Sequence, residues 1–321
     1  MHGFARVSDE LTIHYVSLGQ GRPLVFIPGW TMDTGAFREN LGPLSANFRA
    51  IAYDPRSHGK SSRTESGHDY RQHGADLAAF LDELELKDVV LLGWSAGACA
   101  AYSYFEQFGY GNVGAFVNID QPPKAVRETP ADWGINSREQ LAQFEQFMSS
   151  PQREEFARMA APTMFLEPPA DAAFVEEFVS SSMSTPQPAA SLLLREVNRS
   201  DYTETARQAA SRIPVLHIVK QEHGEAARRW IEANAPQIEL CVLGGHMMFM
   251  EFPAQFNAAV IRFLNAHLRE TARREGGVCV MCSCYDSEPD GLNGSLVRLV
   301  NRNCWLVEGL TCKNGWTVRL S

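Results

Sequence analysis

Gly93-Trp94-Ser95-Ala96-Gly97 narrows the possible folds of this chain more than any other stretch. An apolar run, Asp88-Val89-Val90-Leu91-Leu92, leads into it, and a helix-like run, Ala98 to Phe108, leads out. That order predicts a strand, a sharp turn and a helix, with a serine at the apex. The two glycines fit a turn too tight for nearby Cβ atoms and a helix packed close on its strand. The serine is pushed into the open above a sheet, at a helix N-terminus where developing negative charge is favoured.

A serine so placed is a nucleophile only if a base takes its proton and donors hold the resulting oxyanion. Leu24-Val25-Phe26-Ile27-Pro28-Gly29-Trp30 reads as a buried strand ending in a glycine turn. Its Trp30 N–H and the Ala96 N–H are the expected oxyanion donors. His246, in Leu243-Gly244-Gly245-His246, follows a late apolar run and precedes a helix starting near Pro253, which suits a general base. Most of the nine histidines are expected on the surface or on helices. His58 is expected to shape a turn, and His217 to sit in a strand and the core.

Strand-like runs fall at 11–17, 23–27, 49–53, 88–92, 114–120, 213–219 and 237–243, with a helical pattern over 70–86 carrying Leu77, Phe80, Leu81 and Leu84. Alternation of this kind implies an α/β fold, a mostly parallel, doubly wound sheet with helices on both faces. The first two runs, separated by Gly19-Gln20-Gly21, read as a hairpin. Between about Gln121 and Arg212 the strands vanish, and the pattern is helical, broken by prolines. The expected division is a core of 1–120 and 213–270 with an inserted helical cap at 121–212. Trp94, Trp133, Phe144 and Phe147 are candidates for an apolar pocket over Ser95.

These segments resemble the α/β-hydrolase superfamily from about Thr12 to Leu268. Tyr53-Asp54-Pro55-Arg56-Ser57-His58-Gly59-Lys60-Ser61 is similar to the family's D-x-R-G-H-G-x-S segment, with Ser57 where glycine is usual. Thr203-Glu204-Thr205 running into Ile213-Pro214-Val215-Leu216 resembles the cofactor-free haloperoxidase and esterase branch. Pro-Gly-Trp replaces the usual His-Gly-x. The resemblance implies a Ser–His–acid triad and no cofactor or metal. In most of the family the acid follows the strand before the histidine's strand. Here that segment is Ile218-Val219-Lys220-Gln221-Glu222-His223-Gly224, with no aspartate. Asp120, closing Gly114-Ala115-Phe116-Val117-Asn118-Ile119-Asp120, is the preferred partner for His246, with Glu222 the alternative. Some branches of the superfamily place the acid at this strand end.

The implied function is a serine hydrolase cleaving a small apolar carboxylic ester or lactone through an acyl-enzyme. One alternative is a cofactor-independent dioxygenase acting on a hydroxy-quinolone-like ring, which the Pro-Gly-Trp turn and the displaced acid resemble. Another is a non-catalytic receptor or scaffold. A net charge of −9 argues against nucleic acid or an anionic membrane as partner, leaving a small-molecule substrate. No run reaches the ~18 apolar residues of a membrane span, and the N-terminus lacks a signal-peptide core, so a cytoplasmic location is expected. The stretch 271–321 stands apart. It holds five of the seven cysteines, Cys279, Cys282, Cys284, Cys304 and Cys312, and is expected to be a disordered or adventitious extension, with a zinc site or disulfide module as alternatives.

Overall fold

A computed structural model describes residues 1–134, 136–167 and 172–268. The cysteine-rich stretch lies outside the described residues. The chain forms β1 (His2–Arg6), β2 (Thr12–Leu18), β3 (Pro23–Ile27), α1 (Arg38–Leu44), β4 (Arg49–Tyr53), α2 (Tyr70–Glu83), β5 (Val89–Trp94), α3 (Ala96–Phe108) and β6 (Val113–Ile119). Four helices follow without a strand: α4 (Arg138–Met148), α5 (Arg153–Thr163), α6 (Ala172–Ser184) and α7 (Gln187–Arg199). The chain then returns through α8 (Thr203–Arg212), β7 (Val215–Val219), α9 (Gly224–Asn234), β8 (Glu239–Val242), α10 (Met248–Glu251) and α11 (Pro253–His267).

The eight strands form one sheet in the order β1-β2-β4-β3-β5-β6-β7-β8. From β4 to β8 every pairing is parallel, while β1–β2 and β2–β4 are antiparallel. Alternation along each central strand sends side chains to two cores. Val25, Ile51, Leu91 and Phe116 meet α2, α3, α8 and α9 through Phe80, Tyr102, Ala209 and Trp230. Leu24, Phe26, Val90, Leu92 and Val117 meet α1, α10 and α11 through Phe37, Leu41, Phe249 and Phe263.

Two early expectations are corrected. The runs at 11–17 and 23–27 do not form a hairpin, because β4 lies between them: Tyr15 pairs with Tyr53 and Val25 with Ile51. The loop must therefore step across two strand spacings, roughly 9–10 Å. Gly19 and Gly21 make the step with φ of 77° and 97°, and a Cβ on Gly19 would strike the carbonyls of Phe48 and Ser45. β4, buried from Ala50 to Tyr53, gains a ladder on both edges this way, which a hairpin would deny it. The strand β1 was also not anticipated. Only Ala5 of its five residues is buried, so its sequence carries almost no apolar pattern.

The strandless region is a helical insertion made of α4 to α7. The last helix before β7, α8, packs instead on α3, over the sheet.

Candidate active site

Ser95 occupies the turn between β5 and α3 with φ 50° and ψ −128°, a strained backbone for a residue with a Cβ. The surroundings over-determine it. Ser95 N donates to Ile119 O at 2.8 Å, and Ala98 N donates to Ser95 O at 2.8 Å. A Cβ on Gly93 would lie 2.6 Å from Ala98 Cα, and one on Gly97 would run into Ile27 O, so both positions exclude side chains. The glycine spacing thus records how closely α3 approaches β3 and β5.

Asp120 comes one residue after β6, also in the left-handed region at φ 52°. Asn118 fixes the turn around it. Its amide accepts from Gln121 N and donates to Gln121 O and to Tyr102 Oη. The buried Asp120 carboxylate is shared: Oδ2 is 2.6 Å from His246 Nδ1, while Oδ1 is 3.0 Å from His223 Nδ1 and accepts from Lys220 N at 3.0 Å. Burial alone would raise this carboxyl, but the bonds from His223 and His246 outweigh it and hold it down at about 2. It is ionised at neutral pH.

His246 follows Gly244, whose φ is 56°, and Gly245, where a Cβ would lie 2.6 Å from Met164 O. Trp94 Nε1 donates to His246 O at 3.0 Å, and the two rings lie 5.5 Å apart. Glu251 ties the loop to the insertion, since its carboxylate accepts from Gly245 N and from Leu166 N and Glu167 N.

Glu222 is not near this pairing. Its side chain is 75% exposed and bound to Lys220 Nζ at 2.8 Å, so the partner of His246 is Asp120. The candidate-site residue missed from sequence is His223. A histidine one residue after Glu222 carries no motif of its own, and only the meeting of the β6 and β7 ends puts it on Asp120.

Ser95, Ala96, Asp120, His223, His246 and Trp30 all line one cavity of about 400 Å³. Its far wall comes from the insertion, including Leu141, Phe144, Met148, Phe156, Met164 and Leu194. Trp94 and Phe144 are placed there as expected. Trp133 and Phe147 are not. Trp133 is 1% exposed and packs between His217 and Trp230 in the core, while Phe147 is 39% exposed and leans on Phe156 from outside. Helical spacing on α4 puts Phe144 inward, and Phe147, three residues on and about 60° short of a full turn, falls on the rim.

The turn after β3 is held from two sides. Thr31, at φ 61°, donates its N–H to His58 Nε2 at 3.2 Å. His58 Nδ1 in turn reaches Arg56 O, and burial pushes this imidazole down to about 4, keeping it neutral and able to accept. From above, Trp30 Nε1 donates to Ala190 O, and the buried Arg153 guanidinium sits 5.6 Å from the Trp30 ring. Arg153 donates to Ser182 O, Thr185 O and Gln187 Oε1 where α6 ends and α7 begins. Ser57 explains the departure from glycine in its motif. At φ 61° it needs the left-handed region, and its Oγ holds the strained turn by accepting from Thr64 N. The histidines depart from expectation, since six of nine are buried. His217 is in the core as expected, held neutral by burial at about 3. Among the described residues no group of three metal-ligating side chains is arranged to hold an ion, and no helix is long and apolar enough to cross a membrane.

A family model described as the alpha/beta hydrolase fold matches residues 22–164. A non-heme haloperoxidase from Rhodococcus erythropolis is 35% identical over 130 residues, 40% of this chain and 47% of that protein. The chain therefore spans about half the length of the curated relatives it matches. Among solved structures, a bromoperoxidase from Bacillus anthracis superimposes with a TM-score of 0.73 at 21% identity, covering 83% of this chain and all of that one. An esterase from Exiguobacterium antarcticum gives 0.72 at 21% over the same shares. The chain therefore has the α/β-hydrolase fold, and its residues 22–164 are similar to that family's model.

Proposed function

We propose that the protein is a serine hydrolase acting on a small, largely apolar carboxylic ester or lactone. The observation that carries this is the convergence of the strained Ser95 turn and the His246–Asp120 pair on one apolar cavity. With Nδ1–H donated to Asp120, His246 keeps its Nε2 lone pair for the proton of Ser95 Oγ. Ser95 Oγ attacks the substrate carbonyl carbon, and the oxyanion is held by the N–H groups of Trp30 and Ala96. His246 returns the proton to the leaving alkoxide. Water, activated by His246, then cleaves the acyl-enzyme and frees Ser95. Asp120 stays ionised and stabilises the imidazolium. The relatives called haloperoxidase and esterase support this reading. The cavity volume sets the size class, a substrate at the small end of the usual range for ligand pockets.

One feature supports cofactor-independent oxygenation as a second reading. His246 pairs with an acid just after β6, and Trp30 lines the same cavity as a flat aromatic wall. In that chemistry the pair would deprotonate a hydroxy-heteroaromatic ring, and Ser95 would only hydrogen-bond the substrate. Hydrolysis of p-nitrophenyl butyrate under anaerobic conditions separates the two. The hydrolase reading expects turnover without oxygen, burst release of one p-nitrophenol per site, and labelling of Ser95 by a fluorophosphonate. Turnover of the best substrate that requires oxygen and survives Ser95→Ala overturns it.

A further inference from the structure

His223 is the buried titratable group that the mechanism above does not use. It lies at the start of α9, is 4% exposed, and spends its Nδ1 on Asp120 Oδ1. Its Nε2 is buried without a hydrogen-bond partner among the described residues. A protonated imidazole would leave an N–H⁺ donor stranded there. A neutral Nδ1–H tautomer leaves only a lone pair, the cheaper orphan. Asp120 therefore takes three donors, the Nδ1–H groups of two histidines and the Lys220 N–H. Each donor to a carboxylate draws charge away from the others.

We propose that His223 is a positioning residue that fixes the Asp120 carboxylate and lowers the basicity of His246 by competing for the same charge. Two consequences follow. The carboxylate cannot rotate, because Oδ1 is bound from two directions while Oδ2 faces His246. The imidazolium of His246 is less stabilised than it would be by an unshared carboxylate, so His246 stays neutral to lower pH and gives up its proton to a leaving group more readily. The other charged groups facing His223 are Lys220 and Glu222, which pair with each other, and Arg127, Asp132, Glu225 and Arg229 around a small cavity on its outer side. Arg229 is paired with Glu225, so the outer side is largely balanced. Asp120 and His246 dominate what His223 feels.

The effect on rate rests on the hydrolase reading, but the titration of His246 does not. It is read by nuclear magnetic resonance of imidazole-labelled full-length protein, with no substrate. In wild type, His223 should hold its proton on Nδ1, the tautomer that donates to Asp120. In His223→Leu, which removes the donor, the His246 midpoint should rise by about one pH unit. In His223→Asn, whose amide can donate from nearly the same place without titrating, it should return to within about 0.3 unit of wild type. The acid limb of kcat/KM should move with these midpoints. An unchanged His246 midpoint in a folded His223→Leu variant overturns the proposal. If that variant does not fold, a doubly protonated His223 in wild type at pH 7, or a His246 midpoint in His223→Asn more than one unit from wild type, overturns it. Matching midpoint shifts without any hydrolysis would leave the tuning intact and count against the hydrolase reading instead.

Discussion

The two walls of the cavity are held by different means. On the sheet side the backbone itself is forced. Thr31, Ser95 and Asp120 all stand in the left-handed region, each at the end of a parallel strand or in the turn after one. Among the described residues of α4 to α7, no residue has a positive φ. That wall is built of ordinary helices whose side chains, Phe144, Met148, Phe156 and Leu194, fill space without a fixed hydrogen bond to the cavity. Strain of this kind costs on the order of 1–3 kcal/mol per residue and persists only where the surroundings leave no alternative. The sheet supplies such surroundings, because strand ladders and glycine contacts close in on Ser95 and Asp120 from several sides. The lesson is a division of labour. On the hydrolase reading proposed above, the groups that must meet within a few tenths of an ångström sit on the sheet, and the surface that would select by volume sits on the insertion.

The sharpest way to break that division is to change a group at each wall and compare. Ser95→Ala and Asp120→Asn should each lower kcat/KM for p-nitrophenyl butyrate by on the order of 10⁴. For Asp120→Asn, a rate within tenfold of wild type would show that the acid lies elsewhere. Next in size is the glycine packing. Gly97→Ala should destabilise the protein by about 3 kcal/mol in urea unfolding, since the new Cβ meets backbone rather than a side chain that can yield. Unfolding midpoints that coincide with wild type would mean that α3 can slide on β3.

Acid should separate the walls in another way. Asp120 is depressed to about 2, so its contribution is full above its ordinary unfolded value near 4 and is lost as pH falls from about 4 through 2. Wild type should therefore lose about 2 kcal/mol more than Asp120→Asn between pH 5 and pH 2. Parallel losses would show that the carboxylate is not stabilised by its histidines. On the insertion side, Phe156→Ala should leave kcat for an acetate ester within about threefold while changing the acetate-to-hexanoate preference about tenfold. A collapse of kcat for both esters would move Phe156 from the selecting wall to the chemical one. The smallest effect belongs to Glu222→Gln, which removes only an exposed pair with Lys220 and should change activity less than about twofold.

Much of the sheet side was legible in the chain because its constraints are local. Gly93 and Gly244 clear atoms of their own turns, whereas Gly97 and Gly245 make room for Ile27 O and Met164 O of distant segments and were legible through the motif spacing alone. The insertion was legible only as a region without strands. Which of its aromatics face the cavity depends on how four helices lean on Trp30 and on the His246 loop. Trp133 is the clear example: a large aromatic in that region, it belongs to the core through His217 and Trp230 instead.

The sequence alone determined the strand–turn–helix around Ser95, the alternation that makes a parallel sheet, and the replacement of the usual acid segment by one without aspartate. Each rests on periodicity or on contacts a few residues apart, which the chain carries openly. Only the tertiary structure decided that β4 parts β2 from β3, that Asp120 rather than Glu222 reaches His246, and that His223 shares the same carboxylate. The last two depend on which strand ends lie side by side, 100 or more residues apart in the chain, and the first on pairings 26 to 38 residues apart. No local pattern encodes them. They follow from burying both faces of one twisted sheet at once, which brings the ends of β6, β7 and β8 to a single place.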